Sequence, residues 1–367
     1  MIGKRMTQKQ TTTAMNGDTG VVLNGGGDAD RALPFQVDNL EVRGRVVSLG
    51  PAIDAILARH DYPDPVKALL GEACVLAALL ATSLKDVSRF ILQTQTDGPV
   101  SMLVADIRLP GQMRATASCD AAAVMALSEA GTADVAALLG KGTLAMTIEQ
   151  GHGGQRYQGF VPLDHESLEA AAHTYFLRSE QIPTRIRMAV SEMFDRDEDG
   201  KVRHQWRAGG IIGQFMPEAG DRIRHRDLPA GDAPQDMPED LQDAAFEADD
   251  EAWVEAAVLI ETVEDHELTD PDISPERLLF RLFHERGVRV FEPVRLEDHC
   301  SCSRARIEKV LDQLDSGEIA EAAIDGEIEV SCEFCGLRYH FDPDALPSSA
   351  AGSEKHGQIQ DGHLTNL

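Results

Sequence analysis

Apolar and polar residues alternate from Glu41 to Leu49 (EVRGRVVSL), which predicts a β-strand. Pro51 opens a helix reaching about His60, and Pro65 opens a second reaching about Leu84, each proline standing in a first turn where no amide donor is needed. The second helix is apolar almost all round, so it should be central and buried. Strands are predicted at Arg89–Thr96, at Val100–Ile107 across the turn Asp97-Gly98-Pro99, and at Met113–Ser118. Short helices follow at Ala121–Glu129 and Asp134–Leu139, then a hairpin of Thr143–Glu149 with Gln155–Val161 around Gly151-His152-Gly153-Gly154. Glu166–Glu180 reads as a helix and Pro183–Phe194 as a strand. Val202–Arg207 should pair back on it across the charged turn Asp195–Gly200, with Gly209–Pro217 as a separate strand bounded by glycines. Strand pairs interrupted by helices predict an α+β fold with a mixed N-terminal domain.

The pattern then changes. Met237–Asp272 carries fourteen Asp or Glu and no Lys or Arg, yet its apolar residues recur at helical spacing: Leu241 with Phe246, then Trp253, Ala256, Ala257 and Ile260. A second amphipathic helix, Pro275 to about Glu285, carries Leu278, Leu279, Leu282 and Phe283. Helices that repel themselves this strongly should have little stability of their own and stay folded by docking on neighbours; the cysteine-bearing segment that follows is the expected neighbour. That segment predicts a helix at Arg304–Leu314 and strands at Glu327–Val330 and Leu337–Phe341 around Asp325-Gly326. The expected division is a disordered tail over 1–36, an α+β core over 37–230, an acidic helical linker over 231–287, a small cysteine domain over 288–346 and a second disordered tail over 347–367.

Charge narrows the function classes. The 367 residues hold 62 acidic and 34 basic side chains, a net charge of −28, which opposes nucleic acid and anionic membrane surfaces. The longest apolar run, Ala73–Ala81, falls well short of a bilayer span, and the N-terminal stretch has no hydrophobic signal core, so the expected location is the cytoplasm. No HExxH, G-x-S-x-G or complete GxGxxG pattern occurs, and no enzymatic role is expected.

The candidate chemistry lies in Cys300-Ser301-Cys302 and Cys332-Glu333-Phe334-Cys335, a C-x-C and a C-x-x-C pair separated by 29 residues. Two pairs of soft ligands predict a tetrahedral all-thiolate site for one Zn²⁺. His299 adjoins the first cysteine, but four cysteines already complete a tetrahedron. Cys74 and Cys119 read as structural. The site could be a plain staple in an interaction or regulatory protein. It could also be a switch, because thiolates are the oxidisable form of cysteine and disulfides do not hold zinc. Arg304, Arg306, Lys309 and Arg338 lie nearby in sequence, but the overall charge speaks against a nucleic-acid partner.

Several stretches carry a resemblance to a known family: His60-Asp61-Tyr62-Pro63-x-Pro65-Val66-Lys67, Gln95-Thr96-Asp97-Gly98-Pro99, Arg156-Tyr157-Gln158-Gly159, Tyr175–Thr184, Ala208-Gly209-Gly210 with Gln214-x-Met216-Pro217, Leu282-Phe283-His284-Glu285, and the two cysteine pairs followed by Ser303-Arg304 and Gly336. Over about Leu40–Asp342 the chain resembles the heat shock protein 33 family of redox-regulated holdase chaperones. The resemblance implies a zinc-bound, poorly active reduced monomer. It implies disulfides Cys300–Cys302 and Cys332–Cys335 after oxidation, and an active homodimer that holds unfolded clients without ATP. The long N-terminal tail, the very acidic linker and the C-terminal tail depart from the family pattern.

Overall fold

The computed structural model describes residues 13–14, 29–151, 156–164, 167–196, 200–216 and 250–346. They form two units: one runs up to Ala58 and resumes over Tyr62–Asp298, and the other comprises Arg59–Asp61 with His299 onward.

The larger unit is built on two sheets. In chain order its elements are β1 (Thr13–Ala14), β2 (Arg31–Val37), β3 (Val42–Leu49), α1 (Pro51–Leu57), α2 (Asp64–Ser83), β4 (Val87–Thr96), β5 (Val100–Arg108), β6 (Gln112–Cys119), α3 (Ala121–Glu129) and α4 (Val135–Leu139). There follow β7 (Lys141–Gln150), β8 (Arg156–Asp164), α5 (Leu168–Tyr175), a π-helical turn Phe176–Glu180, β9 (Thr184–Arg196) and β10 (Val202–Phe215). The unit closes with α6 (Glu251–Glu261), α7 (Asp265–Thr269), α8 (Pro275–Phe283), β11 (Arg289–Val290), β12 (Val294–Arg295) and β13 (Glu297–Asp298). One sheet has the order β1-β11-β2-β3-β10-β9, with β12 also on β2; the other runs β13-β6-β5-β4-β7-β8. All pairs are antiparallel except β13 with β6.

Helix α2 lies between the sheets. It packs Val66, Leu69, Leu70, Cys74, Val75, Leu76 and Leu79 into one core with Val47, Leu49 and Ile212 of the first sheet and Phe90, Leu92, Leu103 and Ile107 of the second. A helix covered on both sides must be apolar all round, as its sequence is. It is also long and apolar enough to cross a membrane, but 72% of its most apolar window is buried inside the protein. The reverse face of the first sheet carries a second core, in which Leu33, Phe35, Val42, Val46, Ile211 and Phe215 meet Trp253, Ala256 and Ile260 of α6 and Leu278, Leu279, Leu282 and Phe283 of α8.

Several expectations need correction. The tail expected over 1–36 ends earlier, since Arg31–Val37 is a strand with Ala32, Leu33, Phe35 and Val37 buried, and Thr13–Ala14 pairs with β11. The two strands expected at Val202–Arg207 and Gly209–Pro217 are one strand, β10, paired with β9 without a break over Val202–Gln214. The cysteine domain does not begin at 288, because β11 and β12 pair with β2 and β13 with β6 in the larger unit. The apolar faces of the acidic helices, expected to dock on the cysteine segment, lie on the first sheet. The expected helix around Leu241 and Phe246, the glycine loop at 152–155 and the tail at 347–367 fall outside the described residues.

One buried charge cluster fixes the second sheet. Asp106 on β5, with 1% of its side chain exposed, accepts from Arg89 Nε and Nη2 at 2.7 and 2.8 Å and from Arg114 Nε at 2.8 Å. Burial by itself would raise the Asp106 pKa, but the two guanidinium groups outweigh it and hold the carboxyl below its usual range. Asp106→Ala leaves two arginines without their shared counter-charge and should cost about 3–5 kcal/mol in denaturant unfolding. Because the folded value is depressed, the wild-type contribution is present above the ordinary carboxyl value and is lost as pH falls through the folded one. The gap between wild type and variant should therefore narrow in acid; a gap independent of pH contradicts this account.

Candidate metal centre

The smaller unit holds α9 (Arg304–Leu311), α10 (Ser316–Ala322) and the hairpin β14 (Ile328–Ser331) with β15 (Arg338–Phe341). Its core is five buried side chains, Ile307, Leu311, Ile319, Ile328 and Phe341, with Leu314, Val330 and Tyr339 partly buried against them. The first helix and both strands match the sequence pattern, whereas α10 is an additional element. The signal was present: Asp315 and Glu318 form a reciprocal capping box at its start.

Each cysteine pair is placed by a local device. Cys300-Ser301-Cys302 runs directly into the N-terminus of α9, where the Ser303 side chain caps the amide of Arg306. Arg306 Nη1 reaches back to the carbonyl and the hydroxyl of Ser301, both at 3.2 Å, and so ties down the C-x-C loop. Cys332–Cys335 forms the turn of the β14–β15 hairpin. The Cys332 amide donates to the Leu337 carbonyl at 2.9 Å, and the Gly336 amide donates to the Cys332 carbonyl at 2.8 Å. Gly336 has φ +69°, a left-handed conformation that a residue without Cβ adopts at little cost.

These two devices bring all four sulfurs within 4.8 Å of one another, and this is the one such group of ligand-type side chains among the described residues. Cys300 Sγ lies 3.7 Å from Cys332 Sγ, and Cys302 Sγ lies 3.3 Å from Cys335 Sγ. A tetrahedron with metal–sulfur distances of about 2.3 Å has edges of about 3.8 Å, so the donor set fits one zinc-sized soft cation. His299 is outside the group. Cys74 is fully buried in the inter-sheet core, where burial first and the charge of Asp298 second push its thiol up to about 12. Cys119, half-buried, is also pushed up by burial. Both fit the structural role expected of them.

The sulfurs differ in how readily they ionise. At Cys300 burial opposes ionisation, but the Cys302 amide and the neighbouring sulfurs overcome it and bring the thiol down to about 7. Burial pushes Cys332 and Cys335 up, and the charge of Cys300 adds to this at Cys332. Four thiolates at this spacing repel one another, so a bound cation is what allows all four to ionise together.

The basic residues near the site are largely spoken for. Arg304 pairs with Glu308 at 3.1 Å and lies over the Phe341 ring, Arg338 pairs with Glu329 at 3.4 Å, and Arg306 holds Ser301.

The family model described as "Hsp33 protein" matches residues 30–342. A protein of Caulobacter vibrioides named "33 kDa chaperonin" is 43% identical over 328 residues, which are 89% of this chain and 97% of that protein. Proteins with the same name from Ectopseudomonas mendocina and Escherichia coli K12 are each 34% identical, over 90% and 85% of this chain and 98% and 92% of theirs. The crystal structure of the 33 kDa chaperonin (heat shock protein 33 homolog) from Thermotoga maritima shares the fold, with a TM-score of 0.62 at 23% identity over 87% of this chain and 96% of that one.

Proposed function

The chain belongs to the Hsp33 family, and from that premise we propose that it is a chaperone that holds unfolding proteins without ATP, inactive while its four cysteines bind zinc and active once oxidants remove them. Cys300, Cys302, Cys332 and Cys335 are the proposed ligands and the proposed redox-active residues, forming disulfides Cys300–Cys302 and Cys332–Cys335. The observation that carries the reading is the gathering of four sulfurs within 4.8 Å in a unit whose own core is five side chains. Zinc, when bound, supplies the dication that keeps the sulfurs as thiolates and adds the cohesion this small core lacks.

The residues then act as follows. A cysteine thiolate gives an electron pair to peroxide; the O–O bond breaks, one oxygen stays on sulfur as a sulfenic acid, and the other leaves as water after taking up protons. A second thiolate attacks that sulfur, the S–S bond forms, and the sulfenic oxygen leaves as a second water. A sulfur in a disulfide is no longer a thiolate ligand, so the clamp opens.

The surface proposed to become available is the apolar interface between α6–α8 and the first sheet. Helices α6 and α7 are acidic; Arg31 of β2 meets Glu276 of α8 in a mostly buried pair at 2.7 Å, whereas Arg185 with Glu261 at 3.0 Å and Arg187 with Asp265 at 3.2 Å are half-exposed. Such pairs contribute under about 1 kcal/mol each, so the docking rests on apolar burial. Undocked, the helices would offer apolar faces beside dense negative charge, suited to holding unfolded chains in solution. The oxidised form is proposed to be a homodimer in the cytoplasm. With a net charge of −28, neither nucleic acid nor membrane is among its proposed partners.

The test follows released zinc, free thiols and suppression of a client's aggregation together, in reduced protein treated with peroxide at raised temperature. The three should change in concert. Oxidation that leaves zinc in place, or zinc release without chaperone activity, rejects the proposal in favour of a purely structural zinc ribbon.

A further inference from the structure

We propose that Tyr339 is a positioning residue for the metal centre, donating its phenolic proton to Cys302 and thereby slowing oxidation of that sulfur. The inference rests on the thiolate-and-metal reading above and extends it to a residue outside the cysteine pairs.

Tyr339 stands on β15 opposite Val330 on β14, with its ring half-buried against the Ile307–Phe341 core. Its hydroxyl oxygen is 3.2 Å from Cys302 Sγ, and the same sulfur is 3.3 Å from Cys335 Sγ. A thiolate can only accept, so once Cys302 is ionised the bond runs from the phenol to the sulfur.

A hydrogen bond to a thiolate stabilises the charge that the sulfur would otherwise deliver to an electrophile. Nucleophilicity towards peroxide falls, and so does electron donation to a bound cation. The ring's packing holds the hydroxyl in place, and the alternation along β15 directs it there: Tyr339 and Phe341 share a face, while Arg338 and His340 are exposed. Tyr339 follows Cys335 by four residues, a spacing set by the Gly336 turn and the first residues of β15. The oxidative step is the one written above, with peroxide as oxidant and two waters as products; Tyr339 changes its rate and not its balance.

Tyr339→Phe removes only the hydroxyl and keeps the ring. The test uses full-length reduced chain, wild type and variant, loaded in parallel with zinc and with cobalt(II). The variant should lose thiols to hydrogen peroxide several-fold faster than wild type. Its sulfur-to-cobalt charge-transfer band should move to longer wavelength, because a sulfur relieved of a hydrogen bond is the better donor. A merely structural tyrosine would not shift that band. Identical bands and identical rates of thiol loss overturn the inference while leaving the metal reading intact. A variant that takes up no cobalt assigns Tyr339 to the hairpin's fold and overturns the inference too. A wild-type chain that takes up no cobalt overturns both readings.

Discussion

Stripping zinc from the reduced protein with a chelator should unfold residues 299–346 and leave the inter-sheet core folded. The apolar core of the smaller unit is only five buried side chains, whereas metal binding to a small cysteine site supplies about 10–16 kcal/mol. That is as large as the net stability of a typical domain, about 5–15 kcal/mol, so the unit should not survive its loss. Cys332→Ser should act in the same direction without a chelator, because it removes a sulfur from the hairpin side of the cluster. Limited proteolysis read by mass spectrometry checks this. New cleavage should concentrate in α9, α10 and the β14–β15 hairpin, while α2 and β3–β5 stay protected. A smaller unit as resistant without metal as with it would show that its packing suffices, and the switch reading would lose its physical basis.

Trp253→Ala should release the acidic helices even with zinc bound. Trp253 is 2% exposed and meets Phe215 of β10 at a ring separation of 6.1 Å. Emptying such a site costs about 3–5 kcal/mol. The α6–α8 segment has little else to absorb that loss: Arg185–Glu261 and Arg187–Asp265 are half-exposed and weak, which leaves the buried Arg31–Glu276 pair and the smaller apolar contacts. The reduced variant should bind a hydrophobic dye, be cut by protease between residues 250 and 285, and suppress client aggregation without oxidant. A variant that undocks the helices yet has no activity would place client binding elsewhere. One that keeps its protection would show that Phe35, Phe283 and the other contacts suffice without the indole.

The two predictions draw on different parts of the chain, and the sequence was informative about them to different degrees. The cysteine cluster was legible because spacing carries it: C-x-C and C-x-x-C pairs with soft ligands leave few alternatives. Helix α2 was legible because an all-round apolar helix needs cover on every side. Glycine is poor punctuation in this sheet. Gly209 and Gly210 appeared to end one strand and begin another, yet β10 runs straight through them. A Cβ on Gly209 would collide with the Leu268 carbonyl of α7, and one on Gly210 would press on Val75 and Leu79 of α2. Those glycines mark close approach by helices on the two faces of the sheet, a reason invisible to local pattern.

By itself, then, the sequence determined most of the elements, the two cysteine pairs and the strong negative charge of residues 237–272, since each depends on neighbours within a few residues. Only the tertiary structure decided what the acidic helices cover, and that β11, β12 and β13 belong to the larger unit. It also decided where the counter-charges come from: Arg31 on β2 meets Glu276 on α8, and Arg185 and Arg187 on β9 meet Glu261 and Asp265. The physical reason is range. Helical and strand periodicity report which face of an element is apolar, but the partner for that face lies far along the chain, as Phe283 of α8 lies from Phe35 of β2, and chain-distant pairing is fixed by packing and register.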